Sequence, residues 1–143
     1  DSDDLIRSAI ARQTEKVAPL FVIDDIGQGP FERRLEAFIE TRLRVWEATA
    51  ATSRASRVRA PTNEIIRDQL DGARRLLRAQ LERQFAPELD RLEPKSRRAV
   101  LAAADALTQI ETIDLYRHHR RYSSGETREM LLIALRALFV RRY

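Results

Sequence analysis

The sequence has no cysteine, one tryptophan, one methionine and two histidines. The first absence removes thiol nucleophiles, disulfide scaffolds and Cys-based zinc sites, but leaves the redox compartment open, since a chain with a large core needs no staples. Glycine (four) and proline (five) are scarce, so collagen-like and low-complexity segments are excluded. There is no glycine-rich phosphate loop and no Gly-x-Ser-x-Gly elbow. His118 and His119 are adjacent, so on a helix they point about 100° apart and do not chelate one metal together. Asp105, Glu111 and Asp114 supply carboxylates, but no Glu-x-x-His spacing accompanies them. No catalysis, cofactor or metal is expected. Long apolar runs are also missing: residues 130–135 are among the longest, against about 20 needed to cross a bilayer. The acidic start Asp1-Ser2-Asp3-Asp4 is unlike a secretory signal. The expectation is a cytoplasmic protein with no membrane partner.

What is present is a 143-residue chain, 43% apolar and 34% charged, with the charges interspersed rather than in blocks. That length favours one domain over residues 1–143, burying roughly 68–70% of the unfolded surface. The formal charge is +4, and all basic residues except Lys16 and Lys95 are arginines. They are scattered: Arg7, Arg33, Arg44, Arg67, Arg78 and Arg98 alternate with Asp and Glu as solvated helix faces, not as the stripe of a nucleic-acid binder.

Every long segment carries the helical period and none alternates as a half-buried strand does, so the chain reads as all-α. Asp1 or Ser2 can cap a first helix whose apolar side is Leu5, Ile6, Ala9, Ile10 and Val17 and which stops near Pro19. Residues 22–30, with Asp24, Asp25, Gly27, Gly29 and Pro30, have the composition of a surface loop, expected to be the most mobile segment. A second helix covers 30–51. At about 100° per residue, Phe31, Leu35, Phe38, Ile39, Leu43, Val45 and Trp46 fall in an arc roughly 160° wide, with Glu36, Glu40, Arg44 and Glu47 outside it. Arg42 and Thr49 interrupt the arc near its centre. Either the Arg42 stem carries its charge to the surface, or a guanidinium held inside needs an acidic or carbonyl partner, which an acidic effector can supply.

A short helix is expected before residue 60, and Pro61-Thr62-Asn63 gives a break and a new N-cap. The third helix, to about residue 86, buries Ile66, Leu70, Ala73, Leu77 and Leu81, with Gln69, Gln80 and Gln84 on or beside that face. These amides either satisfy one another and helix ends or line a polar-spotted cavity. A fourth helix from Pro94 to about residue 120 carries Val100, Leu101, Ala104, Leu107, Ile110, Ile113, Leu115 and Tyr116 over most of its circumference, and so demands burial on two sides. Ser123-Ser124-Gly125-Glu126 has capping-box spacing and opens a last helix rich in Met130, Leu131, Leu132, Leu135, Leu138 and Phe139. The expected fold is an antiparallel bundle of roughly five or six helices. Its last two pair with a second copy in an intermolecular four-helix bundle, making a homodimer.

The runs Pro30-Phe31-Glu32-Arg33-Arg34-Leu35-Glu36-Ala37-Phe38-Ile39, Arg59-Ala60-Pro61 and Gln84-Phe85-Ala86-Pro87-Glu88-Leu89 resemble the C-terminal regulatory domain of tetracycline-repressor-like (TetR-like) transcription regulators. So does the ending, from Ala106 through Ile113-Asp114-Leu115-Tyr116-Arg117 to the capping box and the last helix. Asp1-Ser2-Asp3-Asp4-Leu5 is similar to the segment that begins the family's connecting helix, as though the chain starts where the helix-turn-helix domain stops. Tyr122 stands where members often have Gly. The resemblance implies a regulator, usually a repressor, that dimerises through its last two helices and binds a small effector among its helices. Effector binding tilts the connecting helix and so changes the spacing of two DNA-reading heads that must match grooves about 34–36 Å apart. Operator DNA is then touched only by a domain outside this chain.

The helical wheels nominate the effector-lining residues: Phe38, Arg42, Trp46 and Thr49 on the second helix, Leu77, Leu81 and Gln84 on the third, and Leu107, Thr108, Glu111 and Leu115 on the fourth. An Arg42–Glu111 pair favours an uncharged apolar ligand; its absence favours an acid. Two competing readings are a histidine phosphotransfer module accepting a phosphoryl group on His118 or His119, and a purely structural dimerisation module with a solid core.

Overall fold

The computed structural model describes residues 1–140, every regular element of which is helical. Helix α1 (Ser2–Val17) starts as its sequence dictates: the Asp1 carboxylate accepts the Asp4 amide at 2.8 Å, and Asp3 and Asp4 lie near the positive end of the dipole. Pro19 sits in a 3₁₀ turn (Ala18–Phe21) that closes it. Only Val17 of α1 is buried, and Leu5 is 73% exposed.

Helix α2 (Phe31–Arg59) has 29 residues, a rod about 43 Å long. The end expected near residue 51 and the separate short helix after it are replaced by one continuous helix. The Ser/Arg/Ala stretch stays helical because Arg54 and Arg57, on its last turns, are both fastened to Asp114. The 3₁₀ turn Ala60–Thr62 then leads to Asn63, whose side chain caps α3 (Glu64–Gln84) by accepting the Ile66 amide at 3.1 Å. Pro87 and Pro94 lie in the first turns of α4 (Ala86–Leu89) and α5 (Pro94–Thr108).

The single helix expected over 94–120 is divided. Gln109 is extended (ψ 154°), α6 (Ile110–Asp114) restarts on a new axis, and residues Leu115–His119 wind as a π turn in which the Arg120 amide reaches the Leu115 carbonyl at 2.8 Å. The apolar residues that cover a whole circumference on one wheel therefore belong to two axes. Ile110 and Ile113 face the interior from α6, while Val100, Leu101 and Ala104 face it from α5. Arg121, at φ 58°, is the left-handed residue, one position before Tyr122, and the Tyr122 amide closes the turn on the Tyr116 carbonyl at 2.9 Å. The capping box of α7 (Ser124–Val140) is formed in both directions: Ser123 Oγ accepts the Glu126 amide and Glu126 Oε1 accepts the Ser123 amide, each at 3.0 Å.

Helix α2 is the spine, packed against α3, α6 and α7, with α1 laid on α2 and α3. The larger core cluster is built around Leu35, Phe38, Ile39, Leu81, Phe85, Leu101, Ile113, Leu131 and Leu135. In it the Phe85 ring stacks on Phe139 at 4.4 Å and meets Phe38 edge-on at 5.3 Å; full burial of one such ring contributes about 2–3 kcal/mol. A smaller cluster of Val45, Leu77 and Ile110 adjoins Leu20 and Phe21, and Trp46 touches both clusters.

The segment 22–30, expected as a mobile loop, is fastened at several points. The Gly27 amide donates to Gln84 Oε1 at 2.8 Å, and Gln84 Nε2 donates to the Arg34 carbonyl at 2.9 Å. Arg34 reaches the Gly29 carbonyl at 3.0 Å and the Gln84 carbonyl at 2.9 Å, and grips the Glu88 carboxylate with both terminal nitrogens at 2.6 and 2.7 Å. Gly27 has φ 76°, and a Cβ there lies 2.8 Å from the Arg83 carbonyl oxygen, so both conformation and space require glycine.

Candidate functional site

The stripe Phe38, Arg42, Trp46 and Thr49 recurs at four- and three-residue steps along α2, so it lies on one side of the helix. Arg42 is 0% exposed, the largest fully buried side chain among the described residues. Its stem does not run to the surface. One terminal nitrogen donates to the Thr108 carbonyl at 2.7 Å, the other to the Leu77 carbonyl at 2.5 Å, and the guanidinium lies 4.4 Å from the centre of the Phe38 ring. Thr108 is the last residue of α5, so its carbonyl is one of the acceptors that a helix end leaves open, at the negative pole of the dipole. Arg42 thus terminates α5 from outside it, where neither Gly nor Pro marks a stop.

Burial pushes the Arg42 guanidinium down to about 9 from its usual range, opposed by the charge of Asp105, and it remains a cation at neutral pH. No carboxylate touches it among the described residues, and its Nε has no partner. The Arg42–Glu111 pair does not form, because Glu111 is held by Arg74 at 2.8 Å, which in turn binds Asp71 at 3.0 Å. Of the two alternatives posed by the sequence, the structure takes the unpaired one.

A second charged centre lies on the same helix. Asp114, the last residue of α6 and 1% exposed, accepts Trp46 Nε1 at 2.9 Å and Arg54 at 2.5 Å on one oxygen, and Arg57 at 2.9 Å on the other. Burial works against its charge, but the Trp46 hydrogen bond and the charges of Arg54 and Arg57 prevail and hold the carboxyl below the ordinary range. Arg117 lies over the Trp46 ring at 5.0 Å. His118 and His119 are exposed on the π turn, with His119 Nε2 4.0 Å from Asp114.

The structure therefore brings together Phe38, Arg42, Leu77 and Thr108 by direct contact, and packs Leu81 in the core cluster of Phe38. It sends the other nominated residues elsewhere. Gln84 is committed to Gly27 and Arg34, and Trp46 to Asp114. Thr49 bonds back to the Val45 carbonyl of its own helix at 2.7 Å. Leu107 is half-buried and Leu115 exposed. The amide alternatives resolve toward hydrogen bonding for Gln84; Gln80 donates to the Phe21 carbonyl, while its Oε1 is buried with no partner among the described residues. Sequence reasoning missed Asp114 as a centre, and Arg34 as a buried cation. The signal for Arg34 was its place four residues before Phe38, roughly 20° outside the apolar arc.

Two open hollows stand out among the described residues, neither lined by a nominated effector residue. One of about 410 Å³ lies at the α2–α3 corner, lined in part by Arg57, Arg67 and Arg74; the other, about 480 Å³, runs between Asp3 and Arg7 of α1 and the start of α3. No group of His, Asp or Glu among the described residues is placed to hold a metal, and no helix is long and apolar enough to cross a membrane. Compared with known families, with curated proteins and with solved structures, the chain matches none of them.

Proposed function

We propose that this chain is the effector-responsive, dimerising domain of a TetR-like transcriptional repressor. The observation that carries the reading is the outward flank of α7: Ile133 is 59% and Val140 61% exposed, one helical face apart by seven residues, with Ala137 between them also exposed. On α5, Ala99, Ala102, Ala103 and Ala106 are exposed and small enough to admit close approach of another helix. A second copy related by two-fold symmetry covers both helices at once and completes a four-helix bundle. The weak anchorage of α1, with Val17 alone buried, suits a connecting helix that tilts. Arg42, a buried cation with no carboxylate partner among the described residues and with an unpartnered Nε, suits an acidic effector with an apolar body. Operator DNA is read by a helix-turn-helix domain outside these helices.

Sedimentation at micromolar concentration tests the reading: a dimer is expected, and Ile133→Glu is expected to yield a folded monomer. A wild-type monomer sinks it. A thermal-shift screen of apolar and acidic metabolites is expected to raise the midpoint for one class; a flat response favours a solid structural module. An acid-labile phosphate on His118 or His119, supplied by a phosphorylated donor, favours the phosphotransfer reading instead.

A further inference from the structure

The hollow at the α2–α3 corner combines two kinds of surface. Its apolar lining is Ala60 and Pro61 of the 3₁₀ turn together with Leu70, which is buried. Its rim is cationic: Arg57 from the last turn of α2, and Arg67 and Arg74 from one face of α3, seven residues apart. The single acid among the lining residues, Asp71, is occupied by Arg74 at 3.0 Å.

Two of the three guanidiniums are held in place by hydrogen bonds. Arg57 is fixed by Asp114 at 2.9 Å and Ser53 at 2.8 Å, and Arg74 by Glu111 at 2.8 Å as well as by Asp71. A guanidinium has five N–H donors, so each keeps unspent donors after these bonds. Arg67 is exposed and makes no side-chain hydrogen bond or ion pair among the described residues. Two positioned cations, one cation without a partner among the described residues and an apolar patch share an open hollow of about 410 Å³, large enough for a small amphipathic anion.

We propose that this corner binds a small organic carboxylate with a flat apolar body, its carboxylate met by Arg67 and the free donors of Arg57 and Arg74, its body on Leu70 and Pro61. The site is separate from Arg42 and does not rest on the regulator reading.

Titration of the full chain with benzoate, followed by amide chemical shifts and calorimetry, tests it. Benzoate is expected to move amides in 57–61 and 67–74. Arg67→Ala is expected to weaken binding at least about tenfold with an unchanged melting temperature, as is replacing benzoate by neutral benzamide. Leu70 is buried, so the apolar lining is tested with inorganic phosphate, expected to bind at least about tenfold more weakly than benzoate. The proposal is overturned if benzoate does not bind, if Arg67→Ala binds it like wild type, or if shifts fall elsewhere, including around Arg42. Phosphate binding as tightly as benzoate overturns the assignment to an organic anion.

Discussion

The Arg42 guanidinium holds the Thr108 carbonyl at 2.7 Å, so the middle of the longest helix caps the end of another one 66 residues later in the chain. That bond stands at the turning point of the fold. Beyond Thr108 the backbone extends at Gln109 and the chain sets off along α6.

Arg42→Ala removes the cap and the buried stem together, leaving the Thr108 carbonyl without its donor and a void beside Phe38. The expected loss is about 3–5 kcal/mol of unfolding free energy, read by urea denaturation. Arg42→Lys keeps the charge but lacks the fork that spans Leu77 and Thr108, and should retain only part of it. Wild-type stability in Arg42→Ala contradicts the capping role.

Asp114 predicts an acid limb. Its carboxyl titrates lower in the folded chain than in the unfolded one, so the unfolded chain takes up the proton first as pH falls. The stabilisation is complete above the ordinary carboxylate value and drains away below about pH 4. Asp114→Asn is expected to cost about 2–4 kcal/mol at pH 7, because Arg54 and Arg57 lose their shared counter-charge, and to flatten the acid limb. Melting temperatures measured from pH 2 to 7 decide it; an unaltered limb excludes Asp114 as its source.

Two glycines should respond with opposite signs. Gly27→Ala forces a side chain into a left-handed backbone against the Arg83 carbonyl and should destabilise by about 1–3 kcal/mol. Gly72→Ala, inside α3 with only the mobile end of Arg75 at 3.9 Å, should stabilise by about 0.5–1 kcal/mol. Equal effects of the two in thermal melts refute the loop description.

Arg121 adopts the conformation that Gly takes without strain. Arg121→Gly is expected to raise stability by up to about 1 kcal/mol, a gain of a few degrees in Tm. A fall in Tm means that the Arg121 side chain matters more than its backbone.

The helical class and the helix starts were legible because capping is local. Asp1 reaches Asp4, Asn63 reaches Ile66, and Ser123 and Glu126 reach each other, all within three residues. The anomaly of Arg42 was legible from periodicity, but its partners were not, since main-chain carbonyls leave no mark in a sequence. The break at Gln109 was hidden for the same reason: it is made by Arg42 and by the grip of Gln109 Nε2 on Asp105 at 2.7 Å, not by Gly or Pro. The continuation of α2 past residue 51 depends on ion pairs across 57 and 60 positions, beyond the reach of any local window.

The lone indole of the chain is thereby placed as a built-in optical gauge. Trp46 bridges both apolar clusters, donates its ring N–H to Asp114 and lies beneath the Arg117 guanidinium. Loosening the final bend removes a hydrogen-bond acceptor, a cation and packed apolar neighbours from one chromophore, so its emission tracks whether the carboxyl-terminal hairpin is docked on the spine.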